Sequence, residues 1–378
     1  MLFRTALRII IYEKEKFSGA VAGVAVATFL MILQCGFYLG YRRDITVVLD
    51  SIDADIWFVP KNQPLFDGWM AMDDLPYYGA KGHPDIAKVA RLAWGYAPYR
   101  IPSTGGTDTT EVLGVEFDSG IGLRLNLDQD DLASRLRPDG HVMVGRKDCE
   151  KLGITGVGQD GIEITGRHAT AIGFVDDIHL FTTAGFVLTD LENARTFLRL
   201  PNSHATYIVC KCRLDADIEQ VIRDLREQFP EHDVVSARAF HDRAADYWST
   251  RTGIGPVLML SAVLAILVGF LIVMLAFYIS TIEKIPIFAC MKALGASGME
   301  VVSILVSQAF IVFVLGSSLA GLGIYVAQSI LSKTAISMVI TPELVLAGLG
   351  TTALCSALSS LLSIRKVITT DPGEAFRI

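Results

Sequence analysis

The chain has 378 residues, 51% of them hydrophobic, and a mean hydropathy of +0.44, which is too apolar for an ordinary soluble enzyme. Its 73 charged residues and net charge of −7 are equally too many for a chain immersed in lipid throughout. Residues 42–253 hold 33 acids and 23 bases, net −10, against net +3 elsewhere; an acidic central segment argues against nucleic acid as a partner.

In residues 1–17, Leu2, Phe3, Ala6, Leu7, Ile10 and Ile11 recur at helical spacing with Arg4 and Arg8 between them. The spacing predicts a short interfacial helix. Residues 18–41 then carry no charge over 24 positions. At about 1.5 Å per residue this stretch can cross a hydrocarbon core about 30 Å thick, so it is read as the first transmembrane helix. It is longer than a signal-peptide core, and Gln34-Cys35-Gly36-Phe37-Tyr38 is no small-residue cleavage site, so a retained anchor is preferred to a cleaved leader. Gly19 and Gly23, like Gly36 and Gly40, stand four apart as candidate helix-packing positions; the competing reading is that glycine is simply frequent in membrane helices.

Residues 42–253 are long enough to form their own core and read as a mixed α/β domain. Short strands are predicted at 56–59, 111–117, 141–144, 161–165, 184–188, 206–210 and 233–236, bounded by Gly, Pro or Asp. Helices are predicted at 84–94, 191–198 and 217–229, and loops at 68–82 and 102–110. Cys210 and Cys212 fall on one face of a strand, poorly placed to bond each other. A bridge from Cys149 to either is open in an oxidising compartment, but small buried hydrophobes are the simpler reading. From residue 240 a charged, proline-free stretch leads into the second span, which predicts a helix continuing from this domain into the membrane as a mechanical linkage.

Three further spans are predicted at 254–281, 300–328 and 343–364, separated by a loop at 282–299 and a short one at 329–342, with a tail at 365–378. Gly316 and Gly321 are candidate packing positions in the third span. Lys and Arg cluster before the first span (Arg4, Arg8, Lys14, Lys16), in the 282–299 loop (Lys284, Lys292) and after the last span (Arg365, Lys366, Arg377), which places both termini and that loop in the cytoplasm and 42–253 outside. Arg42 and Arg43 stand on the side the rule disfavours, which long translocated domains tolerate.

No chemistry of bond-making is visible. The phosphate-cradling G-x-x-x-x-G-K-[ST] loop is missing, so no cofactor is expected in this chain. None of the seven histidines lies in H-E-x-x-H, and no C-x-x-C occurs, so neither a metal site nor a catalytic residue is predicted. Asp176-Asp177-x-His179 reads as a surface turn, and Asp128-x-Asp130-Asp131 lacks the later glycine and glutamate of a calcium loop. The interiors of the spans hold no ionisable residue, which argues against a proton-coupled carrier. The richest local signal is the cytoplasmic loop, where Glu283 and Lys284 precede Pro286, apolar residues follow at Ile287, Phe288, Met291 and Leu294, and Gly295 closes the run. This predicts a short amphipathic helix that either lies in the interface or fits a groove on a soluble partner.

With these residues in view, the chain resembles the FtsX-like permeases of ABC transporters, the group containing MacB-type and lipoprotein-releasing systems. Met291-Lys292-Ala293-Leu294-Gly295-Ala296-Ser297 is similar to that family's K-A-[LI]-G-A-S stretch after the second span, and Asp371-Pro372-Gly373-Glu374-Ala375-Phe376-Arg377 to its D-P-x-E-A-x-R ending. The one-plus-three layout and the run 142–161, with Lys151-Leu152-Gly153, add to the resemblance. It departs at Ile285-Pro286-Ile287-Phe288, where the family commonly carries an acidic residue and a glycine. The charge-poor, glycine-spaced first span and Asp53-Ala54-Asp55-Ile56 look more like the DevC-like permeases, which work with a separate ATPase and a periplasmic adaptor. The resemblance implies an inner-membrane permease subunit, not itself an enzyme, pairing with a second permease copy and with an ABC ATPase subunit that binds ATP and Mg. It implies that Glu283, Lys284, Ile287, Met291, Lys292, Ala293, Leu294, Gly295 and Ala296 form the ATPase-coupling segment. A periplasmic adaptor, an outer-membrane channel and membrane lipid are further expected partners, with lipid, glycolipid, peptide or drug-like cargo. Lipoprotein release and control of a cell-wall hydrolase are the alternatives.

Overall fold

The structure, a computed structural model, describes residues 14–61, 63, 70–102, 104–124, 129–176, 178, 185–282, 287, 290–291, 294–331 and 337–369. The chain divides into two compact units: Tyr41–Ile254, and the helical segments up to Gly40 and from Gly255 onward. Most of the predicted interfacial helix, residues 1–13, lies outside the described residues.

In the helical unit, α1 (Lys14–Ser51, whose last residues belong to the other unit), α8 (Ile254–Ile282) and α9 (Gly298–Leu331) contain stretches long and apolar enough to cross a membrane. In α10 (Pro342–Thr369) the corresponding apolar stretch is the shorter Pro342–Leu358, and the helix runs on through Arg365 and Lys366, which had been placed in a tail. The chain is thus a membrane protein with a large mixed α/β domain. Glycines seat α1 against each of the other three helices. Gly23 faces Ala276 and Ile272 of α8, and Gly269 of α8 returns the contact against Ala27 and Met31. Gly316 of α9 sits against Val24, and Gly348 of α10 against Ile32. Polar contacts join this packing, among them that between the hydroxyls of Thr28 and Thr352 at 3.1 Å. Among lipid chains there is no hydrophobic drive for helices to associate, so close backbone approach and hydroxyl contacts of this kind hold the bundle.

In the outer unit the strands are β1 (Ile56–Pro60), β2 (Met72–Asp73), β3 (Ile86–Arg100), β4 (Thr107–Val115), β5 (His141–Gly145), β6 (Gln159–Ile164), β7 (Arg167–Val175), β8 (Gly185–Asp190), β9 (His204–Ala205), β10 (Tyr207–Cys212) and β11 (His232–Ser236). Nine of them form one sheet in the order β11-β1-β10-β3-β4-β8-β5-β7-β6, while β2 and β9 pair separately. The 15-residue β3 organises the sheet. Its first half pairs with β10, its second half with β4, and its end meets β6 at Tyr99–Ile164, so β3-β4-β8-β5-β7-β6 closes on itself. Closure removes the edges that would otherwise expose unpaired backbone groups. The closed part encloses a core of small and branched residues including Ala93, Ala97, Val112, Val142, Val144, Ile162 and Val187. The open part is covered on one face by α2 (Leu75–Lys81) and α6 (Ile218–Gln228), through Tyr77, Val221, Ile222 and Leu225. Trp57, Trp94, Phe186, Tyr207 and Phe240 pack together in a further core.

The element predictions fail in several places. Residues 84–94 form no helix: Ile86, Val89, Leu92 and Trp94 suit either period, and hydrogen bonding to β10 on one side and β4 on the other makes the segment strand. Residues 68–82 are not all loop, because β2 and α2 lie within them; Pro76 in the first turn of α2 starts a helix rather than a coil. β7, α3 (Gln129–Leu136) and α4 (Cys149–Leu152) have no predicted counterpart, and the loop predicted at 102–110 gives way to β4 from Thr107. Elsewhere the ends are set by local chemistry: Asp190 caps α5 (Leu191–Leu198) and Asp217 caps α6, each accepting a hydrogen bond from the backbone two residues on.

Candidate functional site

Two features outside the sheet bear on function: the segment between α8 and α9, and the root from which the outer unit's chain ends leave.

In the first, Ile287, Cys290 and Met291 are helical. The helix closes with Leu294 N–H donating to the Cys290 carbonyl at 3.0 Å and Ala296 N–H donating to the Met291 carbonyl at 3.0 Å, across Gly295 at φ 95°. The Ala296 bond is that of a Schellman closure, in which glycine supplies the left-handed residue and an orphan carbonyl is satisfied, while the Leu294 bond is an ordinary i→i−4 helix bond. The next helix begins two residues later. Ser297 Oγ accepts from Glu300 N–H at 3.3 Å, and a Glu300 carboxylate oxygen accepts from Ser297 N–H at 2.8 Å, a reciprocal capping box that opens α9. The sequence Gly295-Ala296-Ser297-x-x-Glu300 therefore makes a fixed helix-to-helix corner. At that corner Leu294 is 89% exposed and Met299 78%, with Ile287 also exposed. Ile287, Met291 and Leu294 stand at i, i+4 and i+7, one stripe of a helix. The S-x-x-E signal that could have located this corner stands in the sequence at Ser297 and Glu300. Glu283, Lys284, Lys292 and Ala293, and the ending Asp371, Pro372, Glu374, Ala375 and Arg377, lie outside the described residues.

At the root, residues 41–51 of α1 and α7 (Ala237–Thr250) pack antiparallel. Tyr41 Oη donates to the Trp248 carbonyl at 2.8 Å, His241 Nε2 lies 3.7 Å from Asp50, and Val48 and Leu49 share a core with Phe240 and Ala244. Below α1, Asp53 and Asp55 clamp the turn into β1. Lys211 Nζ donates to Asp53 at 2.9 Å and to Asp55 at 3.1 Å, and Arg124 donates to Asp53 at 2.8 Å. The hydrogen bonds from Arg124 and Lys211 hold the Asp53 carboxyl below the ordinary carboxylate range. The expected helix running unbroken from residue 240 into the second span is not found. α7 ends at Thr250 and Gly253 adopts φ 77° before α8 begins, because a left-handed glycine terminates a helix. It is α1 that runs from Lys14 to Ser51 without a break.

Inside the outer unit, Arg91 grips Glu116 with two bonds of 2.7 and 3.0 Å, bonds Asp74 at 2.7 Å and lies 4.6 Å over the Tyr77 ring. Arg195 reaches Asp74 from the other side at 3.3 Å. The bonds to Glu116 and Asp74 raise the Arg91 guanidinium above its usual range. This network ties α2, β3 and α5 together and is structural.

The remaining candidates resolve simply. Cys149, Cys210 and Cys212 are free thiols; Cys149 lies beside the closed core while Cys210 and Cys212 belong to the open one, so no bridge forms. Burial pushes the Cys212 thiol up to about 11 and the Cys210 thiol higher still. Asp176 pairs with Arg146, while Asp177, His179 and Asp128 lie outside the described residues. No group of metal-ligating side chains occurs among the described residues. Of the candidate packing glycines, Gly23, Gly36, Gly40 and Gly316 approach neighbours closely; Gly36 and Gly40 meet the segment at Ser337, Met338 and Val339. Gly19 and Gly321 do not, since open space surrounds each where a Cβ would stand.

Residues 18–228 match the family model of the MacB-like periplasmic core domain, and residues 259–372 that of the FtsX-like permease C-terminal domain. The chain belongs to the FtsX-like, MacB-type permease family of ABC transporters. Similar solved structures include the extracellular domain of the noncanonic ABC-type transporter YknZ from Gram-positive bacteria, at 14% identity, covering 48% of this chain and 98% of that one with a TM-score of 0.34. The periplasmic region of MacB from Actinobacillus actinomycetemcomitans is similar at 12% identity, covering 50% and 92% with a TM-score of 0.35. A domain of a permease protein from Porphyromonas gingivalis is similar at 17% identity, covering 50% and 89% with a TM-score of 0.33. No curated protein sequence matches the chain significantly.

Proposed function

We propose that the chain is the membrane subunit through which a separate ABC ATPase moves an outer domain to export cargo, with the 283–297 segment as its docking element. Membership of the permease family supports the transporter role. The observation that carries the docking assignment is the apolar stripe Ile287–Met291–Leu294, exposed at Ile287 and Leu294 and half-buried at Met291, at a capped helix corner. An apolar side chain as exposed as Leu294, held by a Schellman closure rather than by packing within the chain, suits insertion into a partner's groove. In this reading both termini and the segment are cytoplasmic, Tyr41–Ile254 is periplasmic, two permease copies assemble with two ATPase subunits, and a periplasmic adaptor links the outer domain to an exit channel, as in the DevC-like subgroup. ATP and Mg are held by the ATPase; this chain supplies the lever.

The test is Leu294→Asp in the full chain, expressed from its native membrane and affinity-purified. The ATPase is expected to be lost from the eluate while membrane insertion and yield are unchanged. Full recovery of the ATPase with the Asp variant would refute the docking role.

A further inference from the structure

Arg42 and Arg43 stand on the side of the membrane where retained arginines are disfavoured, and neither the fold nor the coupling role uses them. Both follow directly on the uncharged stretch 18–41, and Arg251 stands just before the uncharged stretch 252–282. The three are the first charges on the two chain segments that leave the outer unit. The antiparallel pairing of α1 with α7 brings those segments together: Tyr41 meets Trp248, and Arg251 lies one helical turn beyond Trp248, its N–H donating to the Tyr247 carbonyl at 2.8 Å.

All three arginines are exposed, and none has an ion-pair partner among the described residues. The acids nearby do not neutralise them. Asp44 is buried, Asp50 and Asp242 face His241, and Asp246 alone is exposed at this level. Tyr41, Tyr247 and Trp248, amphipathic rings that favour a membrane boundary, occupy the same level. A guanidinium matches a phosphate with two parallel hydrogen bonds and keeps its charge at any working pH. Without these three arginines the outer unit is net −13 over 42–253, so on the whole it repels an anionic surface.

We propose that Arg42, Arg43 and Arg251 form a basic collar that binds the headgroups of anionic phospholipids in the outer leaflet. The collar holds the root of the outer unit at the membrane surface and gives a purpose to arginines that topology alone disfavours.

The test uses the full chain reconstituted in phosphatidylcholine liposomes that contain phosphatidylglycerol with a photoreactive headgroup. Peptide mapping after illumination is expected to place adducts on peptides covering 38–51 and 244–254. R42Q/R43Q/R251Q is expected to lose this labelling by well over tenfold, at about fivefold for each arginine near an anionic surface. R251Q alone, at an exposed position, is expected to lose about fivefold, and R42K/R43K/R251K to keep most of it. Labelling of these peptides that is unchanged in the neutralised variants, or equal with a phosphatidylcholine probe, overturns the proposal. Adducts confined to other peptides overturn it as well.

Discussion

Gly316 and Gly321 lie five residues apart on α9 in like composition, yet they are predicted to answer oppositely to the same substitution. A Cβ built at Gly316 would stand 2.7 Å from Val24 Cγ1, 2.8 Å from Val24 Cβ and 3.1 Å from the Val21 carbonyl oxygen. Ordinary contact begins near 3.4 Å, so Gly316→Ala forces α1 and α9 apart by several tenths of an ångström, against β-branched and backbone atoms that cannot swing away. Overpacking of this kind costs about 1–3 kcal/mol. Gly321→Ala meets nothing within 4 Å and gains the helix preference of alanine over glycine, about 1 kcal/mol. That preference is common to both substitutions, so the difference between them isolates the packing cost. Unfolding of the purified variants in mixed micelles with rising SDS, followed by circular dichroism, is expected to place Gly316→Ala below Gly321→Ala by about 1–3 kcal/mol. Equal midpoints would refute the assignment of Gly316 to the α1–α9 contact.

Asp74 lies between half-buried Arg91 and buried Arg195, and its removal leaves the two cations facing each other with only Glu116 and Glu192 as partners; Asp74→Ala is expected to destabilise the outer unit by about 3 kcal/mol, read as a fall in its thermal midpoint. Tyr99 is fully buried and donates to the Leu152 carbonyl at 2.8 Å, and desolvation, with Cys149 close by, pushes its phenol up to about 12. Since the unfolded chain ionises near 10 and the folded one later, stability from Tyr99 is fully present below pH 10 and is lost as pH rises toward 12. Absorbance titration at 295 nm should show as many tyrosines ionising near pH 10 in Tyr99→Phe as in the parent chain, with one late step near pH 12 lost, and the alkaline loss of stability should shrink in Tyr99→Phe.

Much of the membrane unit was legible because its determinants are additive along the chain: absence of charge over 20 or more residues needs no tertiary information. The capped helices of the outer unit were legible for a similar reason, since Asp190 and Asp217 act on backbone groups two residues away. β3 was not. Its Ala87, Val89, Ala90, Leu92 and Ala93 satisfy a helical period as well as an extended one, and only hydrogen bonding to β10 and β4, more than 100 residues and about 20 residues distant in sequence, decides between them. The break at Gly253 was readable in principle, because a glycine between a polar helix and an apolar one is a stop signal. Charge continuity through 240–252 masked it. Of the coupling segment, the apolar stripe and terminal glycine were visible in sequence, while the corner they make with Ser297 and Glu300 required hydrogen-bond geometry. Which small residues touch another helix was not legible at all: Gly19 and Gly23 are alike in sequence, and only the position of α8 separates them.

Docking of the segment around Leu294 on an ABC ATPase can be read through a native handle, Cys290. Cys290 is exposed, whereas Cys35 and Cys149 are half-buried and Cys210, Cys212 and Cys355 are buried. Inverted native membranes are to be labelled with a thiol-reactive benzophenone, illuminated, and the adducts of this chain identified by mass spectrometry, with Cys290→Ser as control. The account predicts a crosslink to an ABC ATPase that disappears in Cys290→Ser; labelling at Cys290 that yields only lipid adducts or crosslinks to other proteins would contradict it.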